Sequence, residues 1–439
     1  MRHAGLYPPT LNYSQVQYNS GIRLDYSTAI QTKGLKSRVH YDAERIDETF
    51  RVGVEIEGCL LDKDGIPVNA ELLIKEHQGT SHLLDYEYGI CQFEYKTSPV
   101  AMTDLEHLND IFEEFIEHLD KSIKKVYQNK EVIPVFLGGN PSPEIIKGDS
   151  LITNKPRYNK LSEWQKKMPD VEIEGQKFKA MHVAAAIQGF HFHLQGKNPH
   201  YTAMMFNHIL NIIPSALVLG ANSRLFAGRV YSLHEPRIYL YDQSERQNSG
   251  FPAISRYLSN LEDYIDYINS REPNVAKDYF GLEKERHDDA RIRLNSDFYR
   301  VETRVVSVQP TIKELMAMIQ FFIGYLNRAI YEERQLRPLS SLREERLAAV
   351  RSGYNAKTHF NIIETIKGQL DFARKGLSDL GISIEFLNIL DRRLENKSTP
   401  GDCVAKLWDK KFNDSISQTI FEVICDVWHK TKNNQPIMQ

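Results

Sequence analysis

The sequence predicts an α+β fold in one interleaved domain, with a mixed sheet in the first 310 residues and helices packed behind and after it. Two observations predict it. Four separated segments alternate polar and apolar residues with the two-residue period of a strand, and the text after Pro310 keeps helical spacing to the end. Residues 46–439 are expected to form that domain, sheet-rich over 46–310 and helical over 311–439, preceded by an irregular arm over 1–45 that is polar and rich in tyrosine (Tyr7, Tyr13, Tyr18, Tyr26, Tyr41).

Taken in order, Arg51–Asp62 is a strand and Lys63-Asp64-Gly65 its hairpin turn, because Asp-Gly tolerates positive φ. Strand-like text resumes over Val68–Leu73 and Gly89–Thr97. Leu105, Leu108, Phe112, Phe115, Ile116, Leu119 and Ile123 recur at helical spacing within a helix from Thr103, the expected N-cap, to Tyr127. A buried strand follows at Val132–Leu137. Residues 138–180 form a long connection with Arg157, Tyr158 and Trp164, a lid or substrate loop. The strand Ile187–Leu194 leads into an apolar helix from Pro199 to Leu219; 222–256 is loop-rich, and a helical segment precedes the strand Tyr299–Val306. Amphipathic helices are expected at Ile312–Glu333, Ser341–Arg351, Ile362–Leu380 and Asp414–Lys430.

Bulk properties exclude several function classes. The 439 residues carry a net charge of −3, which argues against nucleic-acid binding as the main activity. The apolar stretches at Ile209–Ala221, interrupted by Asn211 and Pro214, and at Met316–Leu326 read as too short or broken to cross a bilayer. The N-terminus lacks a secretory layout, and Cys59, Cys91, Cys403 and Cys425 have no CxxC spacing. These features predict a cytoplasmic protein with reduced thiols and no membrane or nucleic-acid partner.

The chemistry lies on the strands. Glu55 and Glu57 share one face, as do His191 and His193, and as do Arg300, Glu302 and Arg304; in a fourth segment Gln92, Glu94 and Lys96 do the same. The opposite faces carry Val54, Ile56, Phe190, Phe192, Val301 and Phe93, which suit a core. Each pair alone has a bland reading: a solvated edge strand, hydrogen-bonded core histidines, a surface ion-pair ladder. Together they describe an enzyme pocket. Carboxylates and neutral imidazoles suit Mg²⁺ or Mn²⁺, and neighbouring arginines suit phosphate, so the set fits nucleotide-phosphate chemistry with two or more divalent ions. No GxxxxGK[ST] loop or kinase signature occurs, so strand-borne ligands must hold the phosphates. Cys59 shares the carboxylate face by parity, yet a small buried thiol is its simpler role.

Val52-Gly-Val-Glu55-Ile-Glu57, Gln92-Phe-Glu94-x-x-Thr97, Gly189-Phe-His191-Phe-His193, Gly220-Ala-Asn222-Ser223, Arg237 and Glu302-Thr-Arg304 occur in the order of the glutamate–cysteine ligase/carboxylate–amine ligase family of the glutamine-synthetase-like superfamily. Glu344-Glu345-Arg346 with Arg351-x-Gly353 resembles its late Glu/Arg/Gly segment, and the resemblance spans about Arg51 to Gly381. It implies a curved antiparallel sheet forming a funnel with helices outside. The implied activity is ATP-dependent joining of glutamate to cysteine through a γ-glutamyl phosphate, a step of glutathione biosynthesis. Relatives join other amines, and a non-catalytic metal-binding subunit is the reading from another class. By matched position, Glu55, Glu57, Glu94, His191 and Glu302 would hold Mg²⁺ or Mn²⁺, with Glu87 or Asp85 as the remaining carboxylate. His193, Arg300 and Asn222 would face the nucleotide, and Arg237, Arg293 and Arg304 would contact phosphate or substrate carboxylate. The implied partners are small molecules (ATP, glutamate, an amine), and a homo-oligomer stays open. The chain departs from the family's bacterial branch at Arg224, usually Pro, and at Arg300, usually Thr. Residues 1–45 and 140–180 match nothing in it.

Overall fold

The computed structural model describes residues 26–42, 50–245, 249–294 and 298–437. Its centre is an eight-stranded sheet in which every pairing is antiparallel, so the mixed sheet expected from the element order is not formed. The strands are β1 (Arg51–Asp62), β2 (Leu84–Tyr86), β3 (Gln92–Lys96), β4 (Val100–Ala101), β5 (Val132–Val135), β6 (Gly189–Gln195), β7 (Ala290–Arg293) and β8 (Arg300–Ser307). They run in the order β7-β8-β6-β1-β3-β2, and the sheet is open. The twelve-residue β1 is the spine: β6 and then β5 pair along one edge, β4 and then β3 along the other.

Strand parity divides β1 cleanly. Val52, Val54, Ile56 and Leu60 enter the large core between the sheet and the helices. Glu55 and Glu57 face the other way, and beyond Gly58 the same side turns apolar at Cys59 and Leu61, which join a second core. The parity of Cys59 and its role as a buried thiol are therefore both correct, and burial pushes that thiol's pKa up, with a hydrogen bond to Cys91 adding to it. Gly58 is required: a Cβ there would meet the Phe93 ring at 2.7 Å.

Behind the sheet lies the helix Pro199–Gly220, whose 22 residues continue through Pro214. The helix expected over Pro199–Leu219 thus forms, and Pro214 does not break it, because packing on all sides outweighs one missing N–H. By length and composition this helix could cross a membrane, but 94% of its apolar window is buried inside the fold. The helix Ile312–Tyr331 stacks Phe322 on Phe192 of β6 with ring centres 5.3 Å apart. It crosses the helix Ile362–Asp379 so closely that a Cβ on Gly376 would lie 1.9 Å from the Gly324 carbonyl oxygen. Arg393 and Glu314, both fully buried, pair at 3.0 Å and bind the C-terminal helices to this layer.

Several local expectations change. Residues 1–25 and 43–49 of the expected arm and its junction lie outside the described residues, but Tyr26–Tyr41 is helical, anchored by Arg38 donating to the Leu294 carbonyl at 2.6 Å. Among its described side chains Thr28, Leu35 and Val39 are buried, so the apolar pattern is faint. Within Val68–Leu73 the Asn69 side chain accepts from the Glu71 N–H and starts a short helix, Glu71–Glu76, instead of a strand. Asp104, not Thr103, caps the helix Leu105–Val126 by accepting from the His107 N–H. The helix Pro236–Glu245, within the stretch expected to be loop-rich, was not anticipated, being short and weakly patterned, whereas Leu387–Asn396 and Pro400–Lys411 fall in the region expected to be helical after Pro310.

Candidate active site

Antiparallel pairing sets the ligand-type residues directly opposite one another, and opposed residues share a face. Glu57 faces Glu94, Glu55 faces His191, His193 faces Glu302, and Glu302 faces Arg291. On this face lies a cavity of about 530 Å³ with Glu55, Glu57, Glu87, Glu94 and His191 on its wall. Three groups bring their ligand atoms within 4.8 Å of one another: Glu55, Glu94 and His191; Glu55, His193 and Glu302; Glu57, Glu87 and Glu94. Of the two carboxylates left open by the sequence, Glu87 joins a group. Asp85 also lines the cavity but pairs with Lys96 at 2.8 Å.

The electrostatics separate these carboxylates. Burial, then the neighbouring Glu87 and Glu55, hold the Glu94 carboxyl well above its ordinary pKa. Burial and Glu57 push Glu87 up to about 8. For Glu55 burial acts upward, but the neighbouring His191 and His193 imidazoles prevail and keep it well below the usual range. Glu302 is likewise held low against burial, by the charges of Arg291 and Arg304. Burial and Arg304 lower the His191 pKa, leaving a neutral ring with Nδ1 3.1 Å from Glu55 Oε2 and Nε2 3.6 Å from Glu57 Oε1. Both ring nitrogens of His193 are buried without a hydrogen bond, although Nε2 lies 3.4 Å from Glu55 Oε1. Crowded carboxylates, a neutral imidazole and an orphaned one form a donor set that fits hard divalent cations.

Arginines complete the site. A bulge between Thr303 and Val306 interrupts the β6–β8 ladder opposite His191. It sets Arg304 beside Glu302, with which it forms a tight ion pair, and 3.5 Å from His191 Nδ1. Arg237 fills the space behind the bulge, donating to the carbonyls of Arg304 and Val305 at 3.2 and 3.3 Å, and also reaches the cavity wall. Arg293 lines the cavity and pairs with Glu283 at 3.0 Å. Arg291, missed in the sequence, donates from Nε to Glu302 Oε2 at 2.7 Å. Its two-residue spacing from Arg293 was the available signal, lost because β7 has only four residues.

Three residues expected at the nucleotide lie outside the lining of this cavity. Asn222 is buried away from the cavity wall, and its Nδ2 donates to the carbonyls of Phe136 and Val308, tying two loops together. Arg300 shares the face of Glu302 but is opposite Gln195 and Arg293, outside the cavity lining, since two residues carry the strand roughly 7 Å onward. His193 lies with Glu55 and Glu302 and not on the open wall.

The connection 138–180 has structure of its own. The helix Pro156–Gln165 brings Arg157 and Tyr158 to the cavity, and Tyr158 donates to the Tyr86 carbonyl at 2.8 Å. Ile90 and Thr153 N–H groups bond to Leu151 and Tyr88 carbonyls, so the segment is stitched onto the stretch between β2 and β3.

Carboxylates and arginines thus converge on one face of an open antiparallel sheet, a donor set that suits divalent cations and phosphoryl groups. The family model described as glutamate-cysteine ligase family 2 matches residues 51–377, and the chain belongs to that family. Among solved structures, a bifunctional glutathione synthetase from Pasteurella multocida is similar with a TM-score of 0.60 at 11% identity, over 92% of this chain and 54% of that one. This chain thus spans about half that protein's length. A glutamate–cysteine ligase from Francisella tularensis in complex with AMP gives 0.52 at 11% identity, over 89% and 90% of the two chains. At these identities the likeness is one of fold. A search by sequence among curated proteins found no match.

Proposed function

We propose that the chain is a glutamate–cysteine ligase that forms γ-glutamylcysteine through γ-glutamyl phosphate. The observation that carries this reading is the set of three carboxylate-rich ligand groups on one cavity beside Arg291, Arg293 and Arg304. Glu55, Glu57, Glu87, Glu94, His191 and Glu302 would hold divalent ions, Mg²⁺ in this proposal. Bound there, the ions would neutralise the polyphosphate and allow an anionic carboxylate to approach it. The γ-carboxylate oxygen of glutamate attacks the γ-phosphorus of ATP, ADP leaves, and the amine nitrogen then displaces phosphate from the acyl carbon.

The chain's own residues orient and stabilise. Arg304, fixed by the bulge and by Glu302, offers a planar fork to phosphoryl oxygens, and Arg293 offers a second at the wall. Arg237 fixes the bulge from behind and so keeps Arg304 aimed. ATP and a reduced thiol as substrates support a cytoplasmic setting.

The test is phosphate release from ATP with Mg²⁺ and glutamate, with and without cysteine, and mass analysis of the product. Cysteine-stimulated release with γ-glutamylcysteine as product supports the reading. Stimulation only by another amine transfers it to a ligase of different acceptor. No turnover with any acid and amine leaves a non-catalytic metal-binding subunit.

A further inference from the structure

Amide formation needs a base, and the ligand set leaves no obvious one. In the second step a C–N bond forms, the C–O bond to phosphate breaks, and the nitrogen must lose a proton. Among the described groups on the cavity wall, Glu55, Glu57, Glu87, Glu94 and His191 belong to the candidate metal groups, and Asp85 is paired with Lys96. The remaining imidazole on the wall is His287.

His287 lines the main cavity and also the small void of about 20 Å³ beneath it, where Arg237, Arg304 and Arg346 meet. Its Nδ1 is buried without a hydrogen-bond partner, and its ring lies 5.6 Å from that of Tyr241. The backbone around it is firmly held. His287 and Asp288 pair with Ser249 and Gly250, Asp288 accepts from the Tyr267 hydroxyl at 2.6 Å, and Asp289 is gripped by Arg346 at 2.5 and 2.8 Å. The Asp289 carbonyl in turn accepts the Arg304 N–H at 2.8 Å. The imidazole and the arginine assigned to the phosphoryl group therefore share one rigid support.

We propose that His287 is the proton acceptor for the amine substrate, a role that rests on the ligase reading above. The imidazole takes one proton from the substrate ammonium, the neutral amine attacks the acyl carbon, and as the C–O bond breaks the second proton leaves on the departing phosphate, after which the imidazolium releases its proton to solvent. Burial first, then Arg304, Arg291, Arg157 and Arg286, keeps this ring neutral in the free protein. A phosphoryl group bound to Arg304 offsets that positive charge, so basicity returns as the acyl phosphate forms.

Two nucleophiles separate this role from a structural one. Hydroxylamine is neutral and strongly nucleophilic at physiological pH, and traps an acyl phosphate without base assistance. In His287→Asn, glutamyl hydroxamate formation should be little changed, whereas ligation to cysteine should fall at least about 100-fold. In His287→Ala, added imidazole should restore part of the cysteine reaction. Equal loss with both nucleophiles and no rescue would overturn the proposal, as would unimpaired ligation to cysteine. Wild-type protein that makes neither hydroxamate nor dipeptide would defeat the glutamate ligase reading, and this role with it.

Discussion

Arg291 and Glu302 face each other across β7 and β8, and the Arg291 Nε donates to Glu302 Oε2 at 2.7 Å with both side chains buried. Arg304 pairs with the same carboxylate, and Arg293, held by Glu283, approaches it at 3.7 Å, so three guanidinium groups surround one Glu302 charge. Glu302→Gln should therefore destabilise the metal-free protein by ~3–5 kcal/mol, the usual cost of leaving buried charge uncompensated. Glu87→Gln should leave it as stable or more so, because Glu57, Glu87 and Glu94 crowd within 4.8 Å. Urea denaturation in the presence of chelator compares the two variants, and similar losses would contradict this account of the charges.

Glu57→Gln should abolish most ligase activity while the fold survives. The Gly189 N–H donates to Glu57 Oε2 at 2.5 Å, and an amide oxygen can still accept it. The amide cannot balance a divalent charge. Activity titrated against Mg²⁺, alongside thermal unfolding, checks this; wild-type turnover at limiting Mg²⁺ would remove Glu57 from the ligand set.

Arg304→Lys should impair turnover nearly as much as Arg304→Ala. On an exposed ion-pair ladder lysine would serve, but Arg304 is largely buried on the cavity wall. There a point charge cannot replace a planar fork. Steady-state kinetics for ATP and glutamate decide, and a lysine variant with normal constants would reject the phosphate role.

Asn222→Ala should cost stability, not nucleotide affinity. Losing the side chain leaves two loop carbonyls unsatisfied, worth about 1–3 kcal/mol each when buried. A raised KM for ATP at unchanged stability would restore Asn222 to the nucleotide site.

Acid should weaken the fold through histidines remote from the cavity. Burial lowers His77 and His208 to about 4 in the folded protein, with smaller contributions at His208 from Arg334. Their unfolded values lie near about 6.5, so between the two the unfolded chain binds more protons and stability rises with pH. Their contribution is complete above the unfolded value and is lost as pH falls toward 4. The urea midpoint should drop between about pH 7 and about pH 5, and drop less in His208→Gln. An equal drop would show that His208 does not titrate as described.

What the sequence made legible follows from period and length. The twelve residues of β1 and the alternation in β6 and β8 place Glu55 and Glu57, His191 and His193, and Glu302 on the polar sides of their own strands, and the pairing then brings those sides together. Arg291 escaped because four residues of β7 cannot display a period, and the bulge beside Arg304 has no local signature in Thr303-Arg304-Val305. Asn222 differs from its expected place for another reason: its amide donates to the backbone of distant loops. Long-range hydrogen bonds of that kind are invisible to spacing.

The two-sided character of β1 bears on how the chain reaches its fold. Slipping β1 by one residue against β3 and β6 would thrust Val54 and Ile56 into the cavity and drive Glu55 and Glu57 among Phe190, Phe192 and Leu194. Each carboxylate would then be entombed without a cation, a penalty of several kcal/mol apiece. The acidic residues thus proofread strand pairing while the sheet assembles, and a chain stripped of them would have lost its guard against the wrong alignment along with its chemistry.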